Sequence, residues 1–190
     1  MGNAVKAEDQ YLAEPREIKL RDGRGLSIRL LGKDDANGII AFYASIPPED
    51  GIHYTRPEDR TREQAIARAD KADNPGEVCL VLADKHGGIH GEAWYRWNPS
   101  HPDYSIFGIA IRRTLQGVGA GRFLTKRLLE IGDAYGPPVM TLTAQIENFR
   151  AWKLYASVGF EIIKEQIRPV RSDCGEMPEY YMERKMGIVR

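Results

Sequence analysis

Gln116-Gly117-Val118-Gly119-Ala120-Gly121 holds glycine or alanine at four of six consecutive positions. The run follows a strand-like apolar stretch, Ile106 to Ile111, and opens an apolar-periodic helix through Phe123, Leu124, Leu128 and Leu129. A turn with so few Cβ atoms lets backbone N–H groups converge, and the helix start adds the positive end of its dipole. That combination suits a pyrophosphate. The spacing of Gly117, Gly119 and Gly121 misses the G-x-G-x-x-G dinucleotide loop, and no Gly-Lys-Ser or Gly-Lys-Thr completes a Walker loop. Taken alone, the same glycines would also serve close packing of a helix on a strand.

Periodicity and turn chemistry lay out the elements that must hold this turn. Residues 1–17 read as a loose lead-in and 18–190 as one continuous domain. Ile18-Lys19-Leu20 and Leu26 to Leu31 flank Asp22-Gly23-Arg24-Gly25, which is hairpin chemistry. Asp34 or Asp35 can cap a helix to about Ser45, stopped by Pro47-Pro48. Residues 47–60 read as loop, and Thr61-Arg62-Glu63-Gln64 as a capping box opening a helix to about Ala72. Strands are expected over Glu77–Ala83, Ile89–Trp97 and Tyr104–Arg112, with 98–103 as a connector. After the glycine turn a helix should run to about Ala134, followed by a strand over Val139–Ala144. A helix from about Phe149 to Val158, closed by Gly159, then precedes strands over Phe160–Arg168 and Tyr180–Met186. This order describes an α+β domain with a mixed, mostly antiparallel sheet and one parallel crossover.

Lys plus Arg and Asp plus Glu both number 27, so the formal net charge is zero. A nucleic-acid binder normally carries a basic excess, and no nucleic-acid partner is expected. The 28% charged content and the lack of a long apolar run argue for a soluble chain with no membrane partner. Met1 to Lys6 lack the apolar core of a signal peptide, which makes the cytoplasm the expected compartment. Cys79 and Cys174 lie far apart, and no Cys/His spacing suits zinc, so no metal is expected.

A second segment gives the glycine turn its meaning. Asn148, Ala151, Leu154, Tyr155, Gly159 and Phe160 form N-x-x-A-x-x-L-Y-x-x-x-G-F about thirty residues after Q-x-x-G-x-G. The two motifs, over about 106–122 and 147–160, resemble the acetyl-CoA-dependent N-acetyltransferases of the GNAT superfamily. The resemblance implies a GNAT-like acyl-CoA N-acyltransferase fold, with splayed central strands flanked by helices. Acetyl-CoA would be the co-substrate. Amides of Gly117, Val118, Gly119, Ala120, Gly121 and Arg122, following Gln116, would surround the pyrophosphate. The peptide-like pantetheine would pair with the strand edge Ile109-Ala110-Ile111, where the family parts its fourth and fifth strands. Tyr155 would protonate the departing thiolate, a task that suits a phenol because it keeps its proton at neutral pH. Asn148 would touch the cofactor arm or cap its own helix, and Tyr155 could equally be a core residue.

The general base is less apparent, since Ser105 to Gly108 and Thr141 to Ala144 hold no carboxylate. Glu92 and Asp103 are the candidates, directly or through water, each with an alternative as a structural or surface carboxylate. His53, His90 and His101 are weaker choices. The acceptor pocket is expected from 42–60 and from a connector over 169–180. Trp94, Tyr95 and Trp97 could line it or simply pack the sheet. Phe42 to Asp50 is similar to a segment of bacterial protein-lysine acetyltransferase domains. The expected activity is acetyl transfer to a primary amine, either a small molecule or a protein lysine or N-terminus, by a monomer or homodimer. The alternative is a catalytically silent acyl-CoA-binding sensor or interaction module.

Overall fold

The computed structural model describes residues 14–47, 49, 50, 61, 63, 66, 67, 76–171 and 175–187. Most of the helix expected over Thr61–Ala72, the loop 51–60, and Cys174 lie outside the described residues. Strands β1 (Arg16–Lys19) and β2 (Gly25–Leu30) form the expected hairpin, and β1 begins within the expected lead-in. Helix α1 (Ala36–Ala44) follows a 3-10 turn over Lys33–Asp35. The remaining strands are β3 (Glu77–Ala83), β4 (Ile89–Asn98), β5 (His101–Ile111), β6 (Val139–Gln145), β7 (Glu161–Arg171) and β8 (Gly175–Lys185). Helix α2 (Ala120–Tyr135) joins β5 to β6, and α3 (Phe149–Ala156) joins β6 to β7.

The eight strands lie in the order β1-β2-β3-β4-β5-β6-β8-β7. Every neighbouring pair is antiparallel except β5 with β6, across the α2 crossover. One face carries α2 and α3 over Phe107, Ile111, Met140, Leu142 and Met182. The other carries α1, whose Ile39, Phe42 and Tyr43 pack on Cys79, Val81 and Ala110. Alternation along each strand therefore decides which face a side chain serves.

Several local expectations are corrected. The 98–103 connector shrinks to Pro99-Ser100, because Asn98 already pairs with His101 and its side chain accepts from the Ser100 N–H at 3.0 Å. Pro102 is tolerated in β5 because the rungs to β6 begin only at Tyr104. Asp35 precedes α1, but its side chain does not cap it. The carboxylate turns back to the Gly32 N–H at 2.8 Å and to both Arg29 terminal nitrogens. Phe123 belongs to neither apolar cluster and is 40% exposed. Of the expected 169–180 connector, most is strand, since β7 runs to Arg171 and β8 begins at Gly175.

Candidate active site

β5 and β6 pair at only three rungs, Tyr104–Val139, Ser105–Met140 and Ile106–Thr141. Beyond them β5 runs on to Ile111 and β6 to Gln145, so the sheet opens into a V in its own middle. Ile109, Ala110 and Ile111 form the β5 bank of that opening, and β4 satisfies only their other edge. An extended chain rich in amides could add itself to such an edge.

The glycine turn sits at the open end of the V. A 3-10 turn over Arg113–Leu115 leads into it, and the Gln116 side-chain amide donates back to the Ile111 carbonyl at 3.3 Å. Gly117 and Gly119 adopt φ values of 79° and 100°, a region closed to most side-chain-bearing residues. Gly119 is the N-cap of α2, and no side chain caps it. The first N–H groups of the helix, on Ala120, Gly121 and Arg122, therefore have no intrahelical acceptor. At Gly117, just before them, a Cβ would meet nothing within 4 Å, so the space over the turn is open. These features fit a diphosphate. The β1–β2 turn braces the cradle from behind: the Arg21 N–H donates to the Val118 carbonyl at 3.1 Å, and Arg24 donates to that of Thr114.

Its arginines are occupied elsewhere. Arg112 donates to the Ser45 hydroxyl, and Arg113 grips Asp50 and Glu49, which ties the approach to the turn to the end of α1. Arg122 donates to the Ser157 hydroxyl at 2.8 Å, at the C-terminal end of α3. That helix packs directly on the start of α2, with Leu154 beside Gly121. Asn148 caps α3 by accepting from the Ala151 N–H at 3.3 Å, in agreement with the capping reading. Tyr155, on the buried side of α3, meets Phe107 edge-on at 5.6 Å between ring centroids. Phe107 is the first β5 residue past the last rung to β6, so Tyr155 flanks the vertex of the V from the α2/α3 face.

The two carboxylates expected from sequence lie in different settings. Glu92 stands opposite Ala110 on the α1 face and is 1% exposed. Its oxygens accept from the Tyr43 hydroxyl at 2.5 Å and the Cys79 thiol at 3.2 Å. Asp103 is exposed near the start of β5, eight residues before Ile111 and thus about 26 Å from it at strand spacing. Asp103 is three residues from the last rung at Ile106 and, by alternation with Phe107, falls on the α2/α3 face, opposite to Glu92. His90 pairs with Asp84 at 2.7 Å. The aromatic group divides: Tyr95 is buried and stacks on Trp97, while Trp94 lies on the α1 face over Gly108, with the Arg96 guanidinium 3.9 Å above its ring. Any Cβ at Gly108 would run into that indole.

Sequence reasoning missed a polar group on the β6 bank. Thr141, the last rung to β5, is also in register with Glu183 of β8, and Thr143 with Tyr181. Met182 between them points into the core, so Tyr181 and Glu183 share the opposite face. The Tyr181 hydroxyl donates to Glu183 Oε1 at 2.8 Å. Burial, then the bond and charge of Glu183, push the Tyr181 phenol up to about 12, against a hydrogen bond with Thr141. Tyr181 therefore keeps its proton. Exposed Tyr104 and Ile106 border the group from β5. The alternation Tyr181-Met182-Glu183 was a usable signal; the register with Thr141 was not.

The profile of the Acetyltransferase (GNAT) family matches residues 39–160. Over 152 residues the chain is 28% identical to the mycothiol acetyltransferase of Streptomyces avermitilis, covering 78% of this chain and 46% of that protein. It thus spans about half the length of that curated relative. The GNAT domain of S. lividans PAT superposes with a TM-score of 0.70 at 17% identity, over 90% of this chain and 97% of that one. The Salmonella typhimurium protein yncA, solved with its cofactor acetyl-CoA, gives 0.71 at 18% identity, over 85% and 94%. Both structures share the fold with this chain. Among the described residues no helix is long and apolar enough to cross a membrane, and no group of side chains is arranged to hold a metal ion. With the family's profile spanning well over half of its length, the chain belongs to the GNAT acetyltransferase family, whose members use acetyl-CoA.

Proposed function

We propose that the chain moves an acetyl group from acetyl-CoA to a primary amine by direct attack. The observation that carries this reading is the three-rung pairing of β5 and β6, with an uncapped helix start at its open end. The amides of Gly117 to Arg122 would hold the diphosphate, and the edge of Ile109, Ala110 and Ile111 the pantetheine arm. A backbone N–H on that edge would polarise the thioester carbonyl. Bound acetyl-CoA supplies the activated acyl carbon. Tyr155, packed on Phe107 beside the vertex, would return a proton to the sulfur. The opening gives onto both the α2/α3 face and the α1 face, which supports donor and acceptor approaching from opposite faces of the sheet.

The test is free-thiol release from acetyl-CoA in the presence of spermidine, 2-phenylethylamine and a lysine-containing peptide, alongside calorimetric binding of coenzyme A. Binding with amine-stimulated release supports the enzyme. Binding with no stimulated release, and no effect of Tyr155→Phe, leaves the silent acyl-CoA-binding module, which the lack of a carboxylate in Ser105 to Gly108 and Thr141 to Ala144 favours.

A further inference from the structure

We infer that Glu183 takes the proton from the acceptor amine, with Tyr181 as its positioning residue. The inference rests on the acetyl-transfer reading and names the base that reading leaves open. Glu183 lies across Thr141 from Ile106, two strand spacings or about 10 Å from β5, and borders the vertex where the V begins. Tyr155 flanks the same vertex from the opposite face. A thioester at the vertex would then have its sulfur towards the phenol and its carbonyl carbon open towards the carboxylate.

Among the described carboxylates on the acceptor face, Glu92 and Glu179 are closed, and Glu161, opposite Glu183 on β7, lies one strand further from the vertex. Glu92 is enclosed by Tyr43 and Cys79. Glu179, 3% exposed, accepts from Gln166 at 2.8 Å and from Arg168 at 2.9 Å. Glu183 is only partly buried, and among the described residues one neutral donor, the Tyr181 hydroxyl, fixes one of its oxygens, which leaves the other for a substrate. The groups facing it are Tyr181 on its own strand, Thr141 on β6, Tyr104 across the vertex, and Glu161 and Lys164 on β7. Lys164 lies over the Tyr181 ring, 5.4 Å from its centroid.

The step balances without a further reactant. One ammonium proton passes to a Glu183 oxygen, and the freed nitrogen lone pair forms the bond to the acyl carbon. The C–S bond breaks, and its electron pair leaves on sulfur, which takes the Tyr155 proton. The second proton on nitrogen goes to solvent, from which Tyr155 is reprotonated as Glu183 discharges its own.

Glu183→Gln, Glu183→Asp and Tyr181→Phe are to be compared with the parent chain in thiol release, using the best of the three amines named above. Glu183→Gln should lower kcat by about 10²-fold or more and erase the acid-side limb of the kcat/KM profile. Its calorimetric affinity for acetyl-CoA and its melting temperature should hold. Glu183→Asp should keep the limb at reduced kcat, which separates lost chemistry from lost folding. Tyr181→Phe should shift the limb without removing it. If Glu183→Gln keeps its limb, or its kcat to within about threefold, the inference falls and the acetyl-transfer reading stands. If no amine serves, acetyl-CoA hydrolysis by water is the readout, with the same expected loss. A parent chain that binds acetyl-CoA and releases thiol to neither amine nor water overturns both.

Discussion

Glu92 and Glu183 lie on the same face of the sheet and on opposite banks of one opening, yet they are built for different work. Glu92 sits under α1 among Ile39, Phe42 and Val81, with Tyr43 and Cys79 both donating to it. An acceptor would have to displace a helix to reach it. Glu183 stands where no described helix covers the sheet, beside exposed Tyr104 and Ile106. The difference teaches that a buried carboxylate near a cofactor edge is not for that reason its base. Enclosure with two donors fixes a core, whereas one donor and an open side leave room for chemistry.

The largest effect that bears on this contrast is expected on neither carboxylate. Tyr155→Phe should cost roughly 10²–10⁴ in kcat, with little change in acetyl-CoA affinity, in steady-state kinetics paired with calorimetry. A kcat that survives would remove the reason for placing the sulfur at the vertex, and with it the geometric case for Glu183. Next, Glu92→Ala should cost about 1–3 kcal/mol in urea unfolding, because it removes the buried acceptor of the Tyr43 and Cys79 hydrogen bonds. Glu183→Ala should cost a fraction of that. Were Glu92→Gln instead to abolish the acid limb of the rate profile, the two carboxylates would exchange roles.

Asn148→Ala should lower stability by about 1 kcal/mol by removing the cap of the helix that aims Tyr155. A larger loss of acetyl-CoA affinity than of stability would restore the cofactor contact as Asn148's main task. The smallest effect concerns pH. The His90 side chain, opposed by partial burial and helped by the amides of His86 and Gly88, holds the Asp84 carboxyl at about 2. A carboxyl depressed in the folded state adds stability that is present above its unfolded value and disappears as pH falls towards the folded one. Asp84→Asn should therefore flatten the melting temperature between about pH 4 and pH 2, measured by circular dichroism.

What the residues disclosed in advance was local. Gly117 and Gly119 announce positive φ, Asn148 announces a cap, and the apolar run Glu77–Ala83 gives β3 to the residue. The hidden part depended on register and on long separations. Glu92 meets Tyr43 across 49 residues, and nothing in either neighbourhood states that distance. Glu183 becomes a neighbour of Ile106 only because β8 enters the sheet between β6 and β7. Phe123 followed the apolar rhythm of its helix and is still 40% exposed, since the stripe that α2 buries runs through Ala120, Leu124, Leu128 and Ile131 beside it.

The early parting of β5 and β6 has a thermodynamic side. A sheet opened in its middle keeps two rows of main-chain groups that face no partner strand across the gap. A peptide-like ligand entering the gap acts as a missing strand, and its binding energy adds to that of folding. At a hundredfold excess over its Kd, such a ligand stabilises the native state by about 2.7 kcal/mol. The chain's resistance to heat and proteolysis should then follow the local supply of its acyl donor, making turnover of the protein itself a reporter of that supply.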